Sequence, residues 1–173
     1  MHQGETQIHL NAPPELVYAM VADVKRMGEW SPECYKCAWL DGATEAAVGA
    51  RFRGYNRANW LRWSRLVEVT SAVPGKEFAF TTLKDFINTD STTWRYVFQP
   101  TGGGTLVTES YTVWAFPSLT IRIISSLARR PHDMRPHMAS TLQRLKAAAE
   151  HQVATTVDRE DPTKSSPLSF SGD

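Results

Sequence analysis

The sequence predicts an α+β fold: a seven-stranded curved antiparallel sheet wrapped around a long C-terminal helix, with two short helices between strands 1 and 2. Three observations predict it. From about Cys34 to Phe116 the apolar and aromatic side chains recur with period two, the signature of half-buried strands. From about Pro131 to Gln152 they fall at Met134, Met138, Leu142, Leu145 and Ala149, spacings of three and four that set one helical face. Two helix-start signals, Pro13-Pro14-Glu15 and Asp23, separate the first strand from the remaining six.

The elements follow in order. Thr6 to Leu10 alternates, with Ile8 and Leu10 on one face and His9 on the other. After Pro13-Pro14, Leu16, Val17, Met20 and Val21 make an apolar stripe. Asp23 caps a second short helix carrying Val24, Met27 and Trp30, ended by Ser31-Pro32. Tyr35–Leu40, Arg51–Asn56, Trp60–Thr70, Lys76–Leu83, Thr92–Gln99 and Thr105–Trp114 read as strands. Asp41-Gly42, Pro74-Gly75 and Gly102-Gly103-Gly104 mark turns between them. Six strands in succession, mostly on short loops, argue for an antiparallel meander. Pro117 ends the sheet, and Ser118 to Leu127 opens a helical stretch that Pro131 or Pro136 kinks before the main helix. Residues 1–152 form one domain, and 153–173, where the apolar pattern gives way to charge, Ser, Pro and Gly, read as a disordered tail.

Composition narrows the function classes. The chain has 173 residues, 42% of them hydrophobic, enough for one domain with a real core. A net charge of +1 gives no electrostatic case for nucleic acid or an anionic membrane as the main partner. The longest apolar stretch, Trp114 to Leu127, is broken by Arg122 and hydroxyls, which argues against stable membrane insertion. Met1-His2-Gln3-Gly4-Glu5 has neither the basic start nor the apolar stretch of a secretory signal, so a cytoplasmic location is expected. The sequence carries no signal of oligomeric state.

Cys34 and Cys37 form a Cys-x-x-Cys pair. A structural zinc site needs four ligands, and no second cysteine pair or spaced histidine pair completes one. On a regular strand, residues three apart face opposite sides, so the pair reads as reduced and structural, not redox-active. None of His2, His9, His132, His137 and His151 has metal-ligand spacing with another ligand on its face, so no metal and no cofactor are expected. His137, beside Met138, reads as a half-buried packing residue.

A single helix laid on a curved sheet does not fill the concavity, and the hollow left is the expected site. Alternation nominates Phe52, Asn56, Trp63, Arg65, Phe80, Trp94, Tyr96, Glu109 and Tyr111 from the strands, with Met138 and Leu142 from the helix and Trp30 from the short helices. Most are apolar or aromatic and suit a hydrophobic small molecule held by area burial, at about 25 cal/mol per Å². Glu109 and Arg65 stand out, because an inward charge needs a partner, water or a polar ligand. In an enzyme, Glu109 would be the acid or base and Arg65 the anion stabiliser; the structural alternatives are an ion pair, or a strand register one residue different that puts either group in solvent. Ser118 to Arg130 is amphipathic, with Leu119, Ile123 and Leu127 on one face among Arg122, Arg129 and Arg130. Packing on the sheet rim and docking on a membrane are both open to such a helix.

The element order resembles the helix-grip fold of the START-like (SRPBCC) superfamily, and its polyketide cyclase/dehydrase branch in particular. The resemblance is carried by Ala12-Pro13-Pro14-Glu15-Leu16-Val17-Tyr18, Val21-Ala22-Asp23-Val24 with Glu29-Trp30, and Val48-Gly49-Ala50-Arg51-Phe52. Trp94-Arg95-Tyr96-Val97-Phe98, Gly103-Gly104-Thr105-Leu106-Val107-Thr108-Glu109-Ser110 and Leu142-Gln143-Arg144-Leu145-Lys146 complete it. It spans residues 5 to 150 and implies a ligand-binding domain for a lipid, polyketide or similar molecule. The alternative it implies is a polyketide cyclase or dehydratase-like enzyme.

Overall fold

The computed structural model describes residues 2–86, 88–116, 118–127 and 133–160. The strands are β1 (His2–Leu10), β2 (Cys34–Trp39), β3 (Arg51–Ala58), β4 (Leu61–Val73), β5 (Glu77–Thr82), β6 (Ser91–Thr101) and β7 (Gly104–Ala115). They form one antiparallel sheet in the order β1-β7-β6-β5-β4-β3-β2. Between β1 and β2 come α1 (Pro14–Ala22), a short 3-10 turn (Val24–Arg26) and α2 (Met27–Trp30). After the sheet come α3 (Leu119–Leu127) and α4 (Arg135–Glu160). The seven-stranded sheet, the two-helix insertion and the long C-terminal helix agree with the sequence prediction.

Local chemistry explains the turns and ends. Pro14 opens α1, where a missing amide hydrogen is no loss. The Asp23 carboxylate accepts a 3.3 Å hydrogen bond from the Lys25 amide and starts the next turn. Gly103, at φ 99°, makes the tight β6–β7 hairpin that a side chain would strain. α4 is fastened beside β1 by Lys146, which donates to the His9 carbonyl at 2.8 Å, and by Glu150, which accepts from the Asn11 amide at 2.8 Å.

The core draws on every strand of the sheet, and part of it lies where α1 and α4 cover β6 and β7. Val17 of α1, Phe98 of β6, Val107 of β7, and Leu142, Leu145 and Ala149 of α4 are buried together there. Tyr18 adds its ring edge-on to Phe98 at 5.8 Å between centroids.

Several boundaries differ from expectation. β1 starts at His2, not Thr6; its early outward residues are polar, and its pairing with β7 defines it instead. The helical stretch after the sheet is two helices, α3 and α4, with Pro136 in the first turn of α4. Pro131 lies outside the described residues. α4 continues to Glu160, past the expected end at 152: Val153 still packs against the core, and the Thr155 and Thr156 hydroxyls donate back to the His151 and Gln152 carbonyls at 2.9 and 3.0 Å. Residues 161–173 lie outside the described residues. The apolar face of α3 does not pack on the rim: Leu119, Ile123 and Leu127 are 70%, 53% and 68% exposed. Arg129 and Arg130 lie outside the described residues. Among the described residues, no helix is long and apolar enough to cross a membrane.

Candidate functional site

Along α4, the turns before Leu142 stand away from the sheet and leave a cavity of about 640 Å³. Its floor is the concave face of β3 to β7; α2 and the first turns of α4 wall it, and Arg122 of α3 reaches it. All the nominated residues except Leu142 line it: Phe52, Asn56, Trp63, Arg65, Phe80, Trp94, Tyr96, Glu109 and Tyr111 from strands, Met138 from α4 and Trp30 from α2. Leu142, directly after cavity-lining Thr141 and one turn on from Met138, is buried in the core instead. The helical stripe identifies an inward face but not the point at which the sheet curves away from it.

Aromatic rings shape the walls. Trp94 and Tyr111, opposite each other on β6 and β7, are 5.5 Å apart between centroids. Tyr111 lies over Gly4 of β1, where a β-carbon would come within 2.8 Å of the ring. Phe52 and Phe80 meet edge to face at 5.5 Å.

Polar groups interrupt this surface at three places. The Tyr96 hydroxyl donates to Glu109 Oε1 at 2.7 Å, and both residues are buried. Burial raises the Glu109 carboxyl to about 8, although the Tyr96 hydrogen bond opposes the rise, so Glu109 is largely protonated at neutral pH. Burial, and secondarily the Glu109 charge, pushes the Tyr96 phenol well above its ordinary value. Glu109 Oε2 has no hydrogen-bond partner among the described residues.

Arg65 is tied down. Its guanidinium meets Asp90 Oδ1 at 2.6 Å and the Asp90 carbonyl at 2.8 Å, leaving only Nε without a hydrogen-bond partner among the described residues. The ion pair weighed from the sequence is therefore present, with Asp90 and not Glu109 as partner, and it offsets the charge an anion stabiliser would use. Asn56 bonds only weakly, at 3.5 Å, to the Gly54 carbonyl. Met138 and Trp30 contribute apolar wall.

Sequence reasoning missed several lining residues, among them Met27, Glu33, Cys34, Cys37 and His137. His137 Nδ1 lies 3.6 Å from Glu33 Oε1, beyond hydrogen-bond reach, so this half-buried histidine faces a carboxylate across the cavity wall. The cysteines overturn the strand argument. Tyr35 is an extra residue in β2: Cys34 pairs with Asn56, Lys36 with Tyr55 and Cys37 with Gly54. This bulge puts residues three apart on the same face, and Cys34 and Cys37 are both buried with sulfurs 3.4 Å apart. Among the described residues, no group of three or more His, Cys, Asp or Glu side chains converges to hold a metal.

Residues 1–150 match the family model described as "Polyketide cyclase / dehydrase and lipid transport". The chain belongs to this family. No curated protein matches the family member's sequence. Its fold is shared by a Thermus thermophilus protein at 21% identity and TM-score 0.65, with 90% of this chain and 99% of that one covered. The Corynebacterium glutamicum Polyketide_cyc-like protein is 26% identical at TM-score 0.52, covering 92% and 96%. The di-domain ARO/CYC StfQ of the steffimycin biosynthetic pathway is 14% identical at TM-score 0.68, with 88% of this chain matching 52% of that one. These likenesses and a START superfamily protein of Mycobacterium smegmatis at TM-score 0.60 place this family member in the helix-grip fold.

Proposed function

We propose that this family member binds a hydrophobic small molecule, a lipid, polyketide or similar compound, between the sheet and the first turns of α4. The observation that carries this reading is a cavity of about 640 Å³, walled by aromatic rings yet holding polar atoms of Glu109 and Arg65 that have no hydrogen-bond partner among the described residues. Volume and lining suit a ligand of drug or fatty-acyl size whose body is gripped by area burial. A ligand oxygen would occupy the free side of the Glu109 carboxyl, which donates while protonated. We place this activity in the cytoplasm, where Cys34 and Cys37 stay largely reduced. The test is uptake of an apolar fluorescent probe. Trp63→Ala and Trp94→Ala are expected to weaken it by about tenfold each; undiminished uptake in both removes the reading.

A second reading is favoured by one observation. A carboxyl raised to about 8, bonded to a phenol and open on one side, is suited to moving protons. On this reading the protein is a polyketide cyclase or dehydratase-like enzyme in which Glu109 protonates or deprotonates a bound poly-β-keto chain. Arg65 contributes through Nε alone. Glu109→Gln then abolishes turnover while probe binding persists; loss of both together marks Glu109 as a structural group.

A further inference from the structure

The Cys34–Cys37 pair belongs to neither reading, and its surroundings give it chemistry of its own. The bulge at Tyr35 holds both sulfurs on the concave face. Gly28 makes the bulge possible, since a β-carbon there would come within 2.7 Å of the Tyr35 carbonyl. Both thiols are buried from bulk solvent but line the cavity. Opposite them stands Gly54, where a side chain would begin 3.8 Å from the Cys37 sulfur and 3.9 Å from the Cys34 sulfur. Met27 Sδ lies 3.8 Å from the Cys37 sulfur on the other side. The cavity is the side from which a small molecule meets the pair.

We propose that Cys34 and Cys37 are an oxidisable dithiol whose oxidant is an apolar organic hydroperoxide admitted through the ligand cavity. The Cys34 thiolate attacks the terminal oxygen of the hydroperoxide. The O–O bond breaks, Cys34 becomes a sulfenic acid, and the alkoxide takes up the proton that Cys34 released, leaving as the alcohol. Cys37 then attacks the Cys34 sulfur; its own proton leaves with the hydroxyl as water, and a disulfide remains. Two thiols are oxidised and one peroxide is reduced, so atoms and electrons balance.

Geometry favours both steps. The sulfurs start 3.4 Å apart and must close by about 1.4 Å to reach a disulfide's length. They sit on β2, an edge strand paired only with β3 and already bulged, where such movement disturbs least. The contact between the two sulfurs holds the Cys34 thiol below its ordinary value despite burial, and Cys34 is assigned as the attacking sulfur. The same contact, with burial, raises Cys37.

The proposal rests on the cavity admitting apolar molecules, and its test separates the two. The reduced full chain is treated with equal concentrations of cumene hydroperoxide or hydrogen peroxide, and free thiols and intact mass are followed, with probe uptake measured on the same preparation. Cumene hydroperoxide is expected to remove both thiols with a loss of about 2 Da and no dimer, roughly tenfold faster than hydrogen peroxide. Cys37→Ser is expected to stop at a sulfenic acid trappable by dimedone, and Cys34→Ser to be inert. Gly54→Val, which covers the pair, slows the reaction about tenfold. Thiols that survive both peroxides while the probe still binds overturn the dithiol alone. Equal rates with both peroxides and no effect of Gly54→Val overturn the cavity route, and a Cys34→Ser protein that still forms a sulfenic acid overturns the assigned order.

Discussion

One face of β7 runs through two different environments. At its start Thr105 and Val107 are fully buried, with Thr105 donating to the Ala12 carbonyl at 2.7 Å, and α1 and the later turns of α4 cover them. Four residues on, Glu109 and Tyr111 face the cavity. α4 divides the same way: Leu142, Leu145 and Ala149 are in the core, whereas His137, Met138 and Thr141 border the hollow, as does Met134 just before the helix. The packed end satisfies its buried polar groups or has none. The hollow end keeps atoms on Arg65, Glu109 and His137 without a hydrogen-bond partner among the described residues. Close-packed positions and cavity-lining positions thus alternate along the same strands and the same helix.

The comparison breaks most readily at the carboxyl. Glu109 keeps its proton in the folded chain up to about pH 8 but loses it near 4.5 when unfolded. The folded state therefore holds more protons across this window, and stability falls as pH rises from about 4.5 to about 8, by on the order of a few kcal/mol in total. Glu109→Gln, which keeps a partner for Tyr96 and cannot ionise, is expected to flatten that slope and to exceed the parent in stability at pH 8. Denaturant melts at several pH values check this; parallel slopes in the two proteins contradict it.

Truncation compares the two ends directly. Leu145→Ala opens a void in close-packed surroundings and is expected to cost about 2–5 kcal/mol. Met138→Ala enlarges a space already present, loses fewer contacts, and is expected to cost about half as much. Equal losses in thermal melts would mean that the hollow end is packed as tightly as the core.

The smallest expected effect on stability is at the rim. Arg26 and Glu29 form a 2.8 Å pair that is largely exposed, and Glu29→Ala is expected to change stability by no more than about 0.5–1 kcal/mol. A larger loss would show that α2 relies on this pair and not on Trp30 and Met27 beneath it.

Which residues face inward was legible wherever the strand was regular. Period two placed Phe52, Trp63, Arg65, Trp94, Tyr96, Glu109 and Tyr111 on one surface because β3, β4, β6 and β7 keep their alternation through those positions. It failed at Cys34 and Cys37, where one extra residue reverses the parity and no turn residue in the sequence marks the bulge. Asp90 was not legible as the partner of Arg65, since it lies before β6 on a loop whose path is set by tertiary structure. Leu142 was assigned to the cavity because it shares a stripe with Met138; the curvature that separates them belongs to the sheet, not to the helix. Met27, Glu33 and His137 converge from α2, the entry to β2 and α4, a meeting that only the packed insertion produces.

The most direct measurement is a two-dimensional NMR titration with an apolar probe, following side-chain and backbone signals at both ends. Saturable shifts at Trp63, Trp94, Glu109 and Met138, with Val107, Leu145 and Ala149 unmoved, are the predicted result. Shifts spread evenly over both ends, or confined to the exposed apolar face of α3, would contradict it.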